Sequence, residues 1–235
     1  MTLRTVRSFV RRAGRMTSSQ EDGLNRLWPR YGIEVGELID SQAIFGKSGP
    51  LVLDIGFGMG EGLLEQAKQA PDTHFIGVEV HEPGIGRLLN EIEKASLSNL
   101  RVMKGDVKDI IEKSVGNQIV DKLQLFFPDP WPKKKHHKRR LVQPDFVNLF
   151  IPALKPGAMV HFATDWEDYY HHMVLVMKGF PAFHVATQEA AEQVASERPP
   201  SRFMQRGLRL GHTLYDLVYV FEPKCLDDEA LYLVD

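Results

Sequence analysis

An open α/β sheet, doubly wound and mostly parallel, is the fold this 235-residue sequence predicts. Three observations predict it. Short apolar runs recur at even spacing, amphipathic helical patterns fill the intervals, and the first run leads straight into a glycine-rich turn. The runs are Leu51–Ile55, Phe75–Val80, Leu100–Met103, Leu123–Phe127 and Ala158–Ala163, and the first four begin at residues 51, 75, 100 and 123, the interval of successive β–α units. After the second run, Ile85, Leu88, Leu89 and Ile92 share one helical face, with Pro83 at the helix start. Phe146, Leu149, Phe150 and Ala153 repeat that spacing before the fifth run, and Tyr170, Met173, Val174 and Met177 repeat it afterwards. Lys155-Pro156-Gly157 is expected to stop the earlier of these two helices. A last run, Leu214–Phe221, is expected to add an antiparallel edge strand. Residues 1–20 lack apolar periodicity and read as a flexible basic arm. Residues 21–222 then form one domain, and residues 223–235 an acidic extension.

Composition narrows the class. At 43% hydrophobic and 26% charged, the chain is an ordinary globule and not a collagen, a coiled coil or a disordered polymer. No apolar run approaches the ~18 residues that a membrane span needs. The single cysteine, Cys225, can form neither an internal disulfide nor a multi-thiolate metal site, which suits a reducing compartment and a cytosolic assignment. The first 20 residues have no apolar signal core, although their arginines and lack of acids keep a mitochondrial presequence as a rival. Charge says more in its distribution than in its sum of −2. Residues 1–15 hold five arginines, residues 133–140 (KKKHHKRR) hold six cations, and neither segment has an acid. The other 212 residues carry 18 cations against 31 acids, so two basic segments sit on an acidic body and point to a nucleic-acid partner.

The strongest local signal is LVLDIGFGMGEG. Gly56, Gly58 and Gly60 follow a strand and precede a helix, where the backbone must turn sharply and can approach a ligand closely. A dinucleotide fingerprint would place a third glycine at 61, which is Glu61; the spacing is instead G-x-G-x-G. Asp54 lies just before the loop, Glu79 closes the second strand, Asp106 follows the third and Asp129 ends the fourth. In such a sheet, strand ends converge on the ligand, so these acids suit an ammonium, a ribose diol and an adenine amino group. The alternative for Asp54 or Asp106 taken alone is a helix cap. Together the four fit S-adenosylmethionine, a cationic adenosine, better than a dinucleotide. Gly46-Lys47-Ser48 imitates the end of a phosphate-binding loop, but Ser41 stands where that loop needs glycine, so nucleotide hydrolysis is excluded. The neighbouring pairs His136-His137 and His171-His172 lack a metal-binding spacing, and no metal is expected.

In FFPDPWPKKKHHKRR three prolines stiffen the backbone around Asp129 and Trp131, at the place where amino-methylating enzymes of this class often carry D-P-P-Y or N-P-P-Y. Trp131 reads either as part of a base-contacting edge or as a wedge against the sheet. The cations from Lys133 onward can neutralise phosphates, and Arg139 and Arg140 can grip them bidentately.

With these motifs in hand, nearly the whole chain resembles the bacterial tRNA (guanine-N7)-methyltransferases. The likeness rests on RSFVRRAGRMT, LDIGFGMGEG, GVEVH, LSNLRVMKGD, LFFPDPWPKKKHHKRR, ATDWEDY and QRGLRLGH. The arm belongs to the matched pattern, which argues against a cleaved presequence. The resemblance implies a seven-stranded S-adenosylmethionine-dependent fold that methylates guanosine 46 of tRNA. It implies that Asp54, Glu79 and Asp106, with Gly56 and Gly58, hold the methyl donor, and that Asp129 contacts donor and substrate as the catalytic residue. Lys133 and Asp165 would then meet the substrate, and Lys135, His136, His137, Lys138, Arg139 and Arg140 the RNA. The chain departs from the family in two places. Asp54 stands where glutamate is usual, and the substrate-binding motif of the T-K-F-E type reads Ser201-Arg202-Phe203-Met204, its acid replaced by a thioether. Those departures leave one alternative, a tRNA-binding relative without catalysis; a second, a methyltransferase of a protein or small molecule, would have no need of the paired basic segments.

Overall fold

The protein is described from a computed structural model, which covers residues 15–199, 204, 209, 211 and 213–223. Eight strands form one sheet in the order β1-β4-β3-β2-β5-β6-β8-β7. They are β1 (Gly32–Ile33), β2 (Leu51–Ile55), β3 (His74–Glu79), β4 (Leu100–Lys104), β5 (Val120–Phe126), β6 (Leu154–Thr164), β7 (Phe183–Val185) and β8 (Tyr215–Phe221). All pairs are parallel except those made by β8, which runs antiparallel to both β6 and β7. The seven strands from β4 to β7 are the doubly wound sheet expected. The two-residue β1 adds an eighth, and the three-residue β7 lies outside the antiparallel strand, so β8 is one place in from the edge. Strands this short carry no alternation for a sequence reading to detect.

Helices cover both faces, and the strands between them are correspondingly apolar. All five residues of β2 are buried. Leu51, Leu53 and Ile55 pack with α2 (Ser41–Phe45), α5 (Val107–Ser114), α6 (Pro144–Phe150) and α7 (Glu167–Met177). Val52 faces the other way, with α1 (Ser18–Tyr31), α3 (Glu61–Gln69) and α4 (Glu82–Lys94). In α4 the predicted face is the buried one: Ile85, Leu88, Leu89 and Ile92 are each at most 1% exposed, and Pro83 lies in the first turn. In α7 the buried set is Tyr169, Met173, Val176 and Met177, so Tyr169 and Val176 take the places expected of Tyr170 and Val174.

Two boundaries differ from expectation. α1 begins at Ser18, inside the stretch read as an arm, because Thr17 and Gln20 form a capping box there. Residues 1–14 and 224–235, the rest of the arm and nearly all of the extension, lie outside the described residues. Lys155-Pro156-Gly157 does not stop a helix. α6 ends at Phe150, a 3-10 turn spans Ile151–Ala153, and the three residues belong to β6. There the β5–β6 register shifts between Val120 and Lys122; Gly157 takes φ +82°, and Lys155 Nζ meets Asp121 Oδ2 at 2.7 Å. Turn-forming residues thus build a bulge within a strand pair.

Candidate functional site

Because β2, β3, β4 and β5 are parallel, their carboxyl ends share one edge of the sheet. A cleft of about 760 Å³, open to solvent, lies there and is lined by Asp54, the Gly56–Leu63 turn, Gln66, Gln124, Phe126, Phe127, Arg198 and Pro199. The turn is shaped by left-handed glycines. Gly58 has φ +61°, and a Cβ on it would meet nothing within 4 Å, so the backbone faces open space that a ligand can approach. Gly84, in the first turn of α4, supports the turn from behind: a Cβ there would fall 1.9 Å from the Gly58 carbonyl oxygen.

The predicted donor acids gather at this edge. Glu79 closes the turn: one carboxylate oxygen accepts from Gly58 N–H at 2.8 Å, and the other from Val80 N–H at 2.6 Å and His81 N–H at 3.0 Å. Asp106 caps α5 by accepting from Lys108 N–H at 3.1 Å, and the intervening Gly105 N–H donates to the Glu79 carbonyl at 3.1 Å, which places Asp106 beside the end of β3. Asp54 is only 4% exposed. Burial pushes its carboxyl up to about 7; the Glu79 charge adds to that, and a Gln124 hydrogen bond and the Lys122 charge oppose it. A buried carboxyl poised near neutrality will ionise readily beside a cationic ligand.

Beyond β5 the backbone is strained. Phe127 and Trp131 have φ +52° and +47°, left-handed values uncommon for bulky side chains. Between them stand Pro128, exposed Asp129 and Pro130. Burial, with a small addition from the Asp129 charge, raises the hydroxyl of Tyr169, and Arg140 joins the loop to the start of α7 by bonding both Pro130 and Asp168. A 3-10 helix, Lys134–Arg139, follows. Lys133, Lys135 and Lys138 are exposed, and His136 and His137 are half-buried. Arg139 lies over the Trp131 ring at 4.9 Å, with His136 at its edge. Trp131 is half-buried.

Arg140 does not belong with these cations. It is 2% exposed. Its Nε donates to the Pro130 carbonyl at 2.9 Å, Nη2 meets the Asp168 carboxylate and the His137 ring, and its guanidinium lies 4.9 Å from the Tyr169 ring centre. Enclosed in this way, its guanidinium is not presented to a phosphate; it ties the proline loop to α7. Asp165 follows β6 and lines a shallower depression with Trp166, Asp168, Gly211, Thr213 and Tyr215. Ser201, Arg202 and Phe203 lie outside the described residues. Met204 is half-buried, with Sδ 3.2 Å from Arg198 Nη1. Sequence reading missed Arg140 as a staple and Arg198 as a cleft residue. The only trace of the latter is an arginine before two prolines in a polar stretch.

Comparison with known proteins bears on this arrangement. The family described as putative methyltransferase matches residues 48–217. The tRNA (guanine-N(7)-)-methyltransferase of Chromohalobacter salexigens is 50% identical over 220 residues, covering 92% of this chain and 89% of that protein. Those of Pseudomonas aeruginosa and Alkalilimnicola ehrlichii are 48% and 46% identical, each over 92% of this chain and, respectively, 90% and 92% of the relative. Among solved structures, the 16S rRNA methyltransferase KamB superposes with a TM-score of 0.57 at 16% identity, over 80% of this chain and 95% of that one. The aminoglycoside resistance methyltransferase NpmB1 gives 0.54 at 14% identity, over 79% and 94%. At such identities the structural likeness establishes the fold alone.

Proposed function

The chain belongs to the tRNA (guanine-N(7)-)-methyltransferase family, and from that premise we propose that its target is N7 of guanosine 46 in the tRNA variable loop. As a member of the family it is an S-adenosylmethionine-dependent enzyme that methylates guanine N7 in tRNA. The observation that carries the assignment of roles is the convergence, on one sheet edge, of the open glycine turn, the buried Asp54 and the strained loop presenting Asp129 beside exposed lysines. The residues fit the donor. The turn offers backbone at an uncovered position, Glu79 and Asp106 suit the ribose and adenine, and Asp54 suits the ammonium.

S-adenosylmethionine supplies a methyl group on a sulfonium, and its transfer moves a positive charge onto the purine. Guanine N7 carries a lone pair and no proton, so the chain needs no general base. Alignment and a negative potential beside the purine are what the chain must supply. Asp129, held by a left-handed backbone and three prolines, orients the guanine through its amino edge and stabilises the developing charge. Arg140 and Tyr169 keep that loop in place, Asp165 shares the substrate contact, and Lys133, Lys135, Lys138 and Arg139 meet the RNA backbone. No helix among the described residues is long and apolar enough to cross a membrane, and a tRNA substrate supports a cytosolic reading.

The test is an unmodified tRNA transcript incubated with S-adenosylmethionine, its nucleosides then mapped by mass spectrometry beside a transcript carrying adenosine at position 46. 7-Methylguanosine is expected in the first transcript alone. Modification at another guanosine would overturn the positional assignment, and Asp129→Asn with full turnover would overturn the role of that carboxylate.

A further inference from the structure

We propose that Arg198 receives the carboxylate of the methyl donor's amino-acid end, opposite Asp54, which takes its ammonium. The inference rests on the donor cleft assigned above and adds a residue to it. Among the described residues lining the cleft, Arg198 alone carries a positive charge, while Asp54 and Glu61 are acids. The donor's amino-acid end is a zwitterion. A cleft that offers only carboxylates would hold the ammonium and repel the carboxylate, so one cation on the opposite wall completes the match.

The position of Arg198 is built rather than incidental. It is 9% exposed, and its Nε and Nη2 fork onto the Asp216 carboxylate at 3.0 and 2.8 Å. Asp216 Oδ1 also meets Nε2 of fully buried His161 at 2.7 Å. Three elements therefore fix one guanidinium: β6 through His161, β8 through Asp216, and the end of α8 (Gln188–Ser196), which leads into Arg198. The preceding residue is anchored as well, Glu197 meeting Lys122 of β5 at 3.6 Å. The guanidinium lies 5.8 and 5.4 Å from the ring centres of Phe126 and Phe127, at the mouth of β5. The following residue, Pro199, faces the first turn of α3, where a Cβ on Gly62 would lie 3.9 Å from it. Arg198 thus stands across from the amino end of α3, whose backbone N–H groups also favour an anion.

The edge of Arg198 turned away from Asp216 remains suited to a ligand. Nη1 contacts the Met204 sulfur at 3.2 Å, and a thioether is a weak acceptor that a carboxylate readily displaces. The Asp216 fork holds the planar group still, so little rotamer freedom is lost when a ligand arrives.

The decisive readout is discrimination rather than activity. Binding of S-adenosylhomocysteine and of its decarboxylated analogue, which keeps the amine, would be measured by calorimetry for the wild-type protein and for Arg198→Met and Arg198→Lys. Wild type is expected to prefer the intact molecule, and Arg198→Met to lose roughly 10- to 100-fold for it and less than about threefold for the analogue. Arg198→Lys should keep part of the preference, and it provides the reading if the methionine variant fails to fold. Equal weakening of both ligands in either variant, or no weakening of either, would overturn the carboxylate contact and leave Arg198 a wall of the cleft. Failure of the wild-type protein to bind S-adenosylhomocysteine would overturn the donor cleft itself.

Discussion

At the residue scale, Asp54 shows how burial sets a working charge. Its carboxyl sits at about 7 in the folded protein against 3.8 when exposed. A folded value above the unfolded one means that protonation favours the folded state. That contribution is complete below pH 3.8 and is lost as pH rises to about 7. Ligand binding works the other way, because an ammonium beside Asp54 needs the ionised form. Affinity for S-adenosylhomocysteine should therefore improve as pH rises from 6 to 8, by up to about tenfold per unit on the acid side, and level off above neutrality. Asp54→Asn should bind weakly with a flat profile. Calorimetry across that range checks both curves, and a flat wild-type profile would remove Asp54 from the ammonium site. Asp54 was legible as a candidate because it lies at the end of the strand that runs into the glycine turn, where a ligand meets the sheet. Arg198 was not, since its meaning comes from Asp216 and His161, far apart in the chain and joined only when β6 and β8 pair in the sheet.

At the scale of elements, the 3-10 helix Lys134–Arg139 separates residues that look equivalent in KKKHHKRR. With about three residues per turn, Arg140 falls on the same side as His137 and turns inward with it, while Lys135 and Lys138 turn out. Composition announced a basic segment, but only the turn geometry distributes its charges between the protein and a ligand. Two variants should therefore differ in kind. Lys135→Ala with Lys138→Ala should lower the slope of log affinity for tRNA against log salt by roughly 1.5 to 2, with thermal stability unchanged. Arg140→Met should leave that slope nearly unchanged while lowering stability by on the order of 1–3 kcal/mol and slowing turnover, since the loop presenting Asp129 loses its tie to α7. Filter binding across a salt series, read beside melting curves, separates the two. A changed slope in Arg140→Met would mean that it meets RNA after all. The misread Lys155-Pro156-Gly157 teaches the same lesson: turn-forming residues signal a local bend, and the register of β5 against β6 decides whether the bend ends a helix or bulges a strand.

At the scale of the whole molecule, the parallel pairing of β2 to β6 and the placing of acids at their carboxyl ends followed from the even spacing of apolar runs, because parallel strands buried on both faces leave a nearly continuous apolar signature, whereas β1 and β7 are too short to leave one. How stability responds to pH does not follow from spacing, because it depends on which titrating groups the core encloses. His74 begins β3 and is fully buried, stacked on Phe45 at 4.2 Å between ring centres. Neither ring nitrogen has a partner within the described structure, and the charged groups acting on it, Lys47 and Arg101, are both cations. Burial first, and those cations second, hold its pKa below the ordinary 6.5. A depressed value in a base means that the unfolded chain takes up a proton which the folded one refuses, so this contribution is intact above pH 6.5 and is lost as pH falls. His161 and His172 are shifted the same way, and Asp54 opposes them at low pH. All three remain in a His74→Leu protein and cancel when it is compared with wild type. On moving from pH 7.5 to 5.0 the wild-type melting temperature should fall further than that of His74→Leu, by about 3–5 °C for each tenfold by which the fold weakens proton binding at His74. Parallel acid limbs in the two proteins would show that His74 accepts its proton in the fold, through a rearrangement that brings water or an acceptor to its ring.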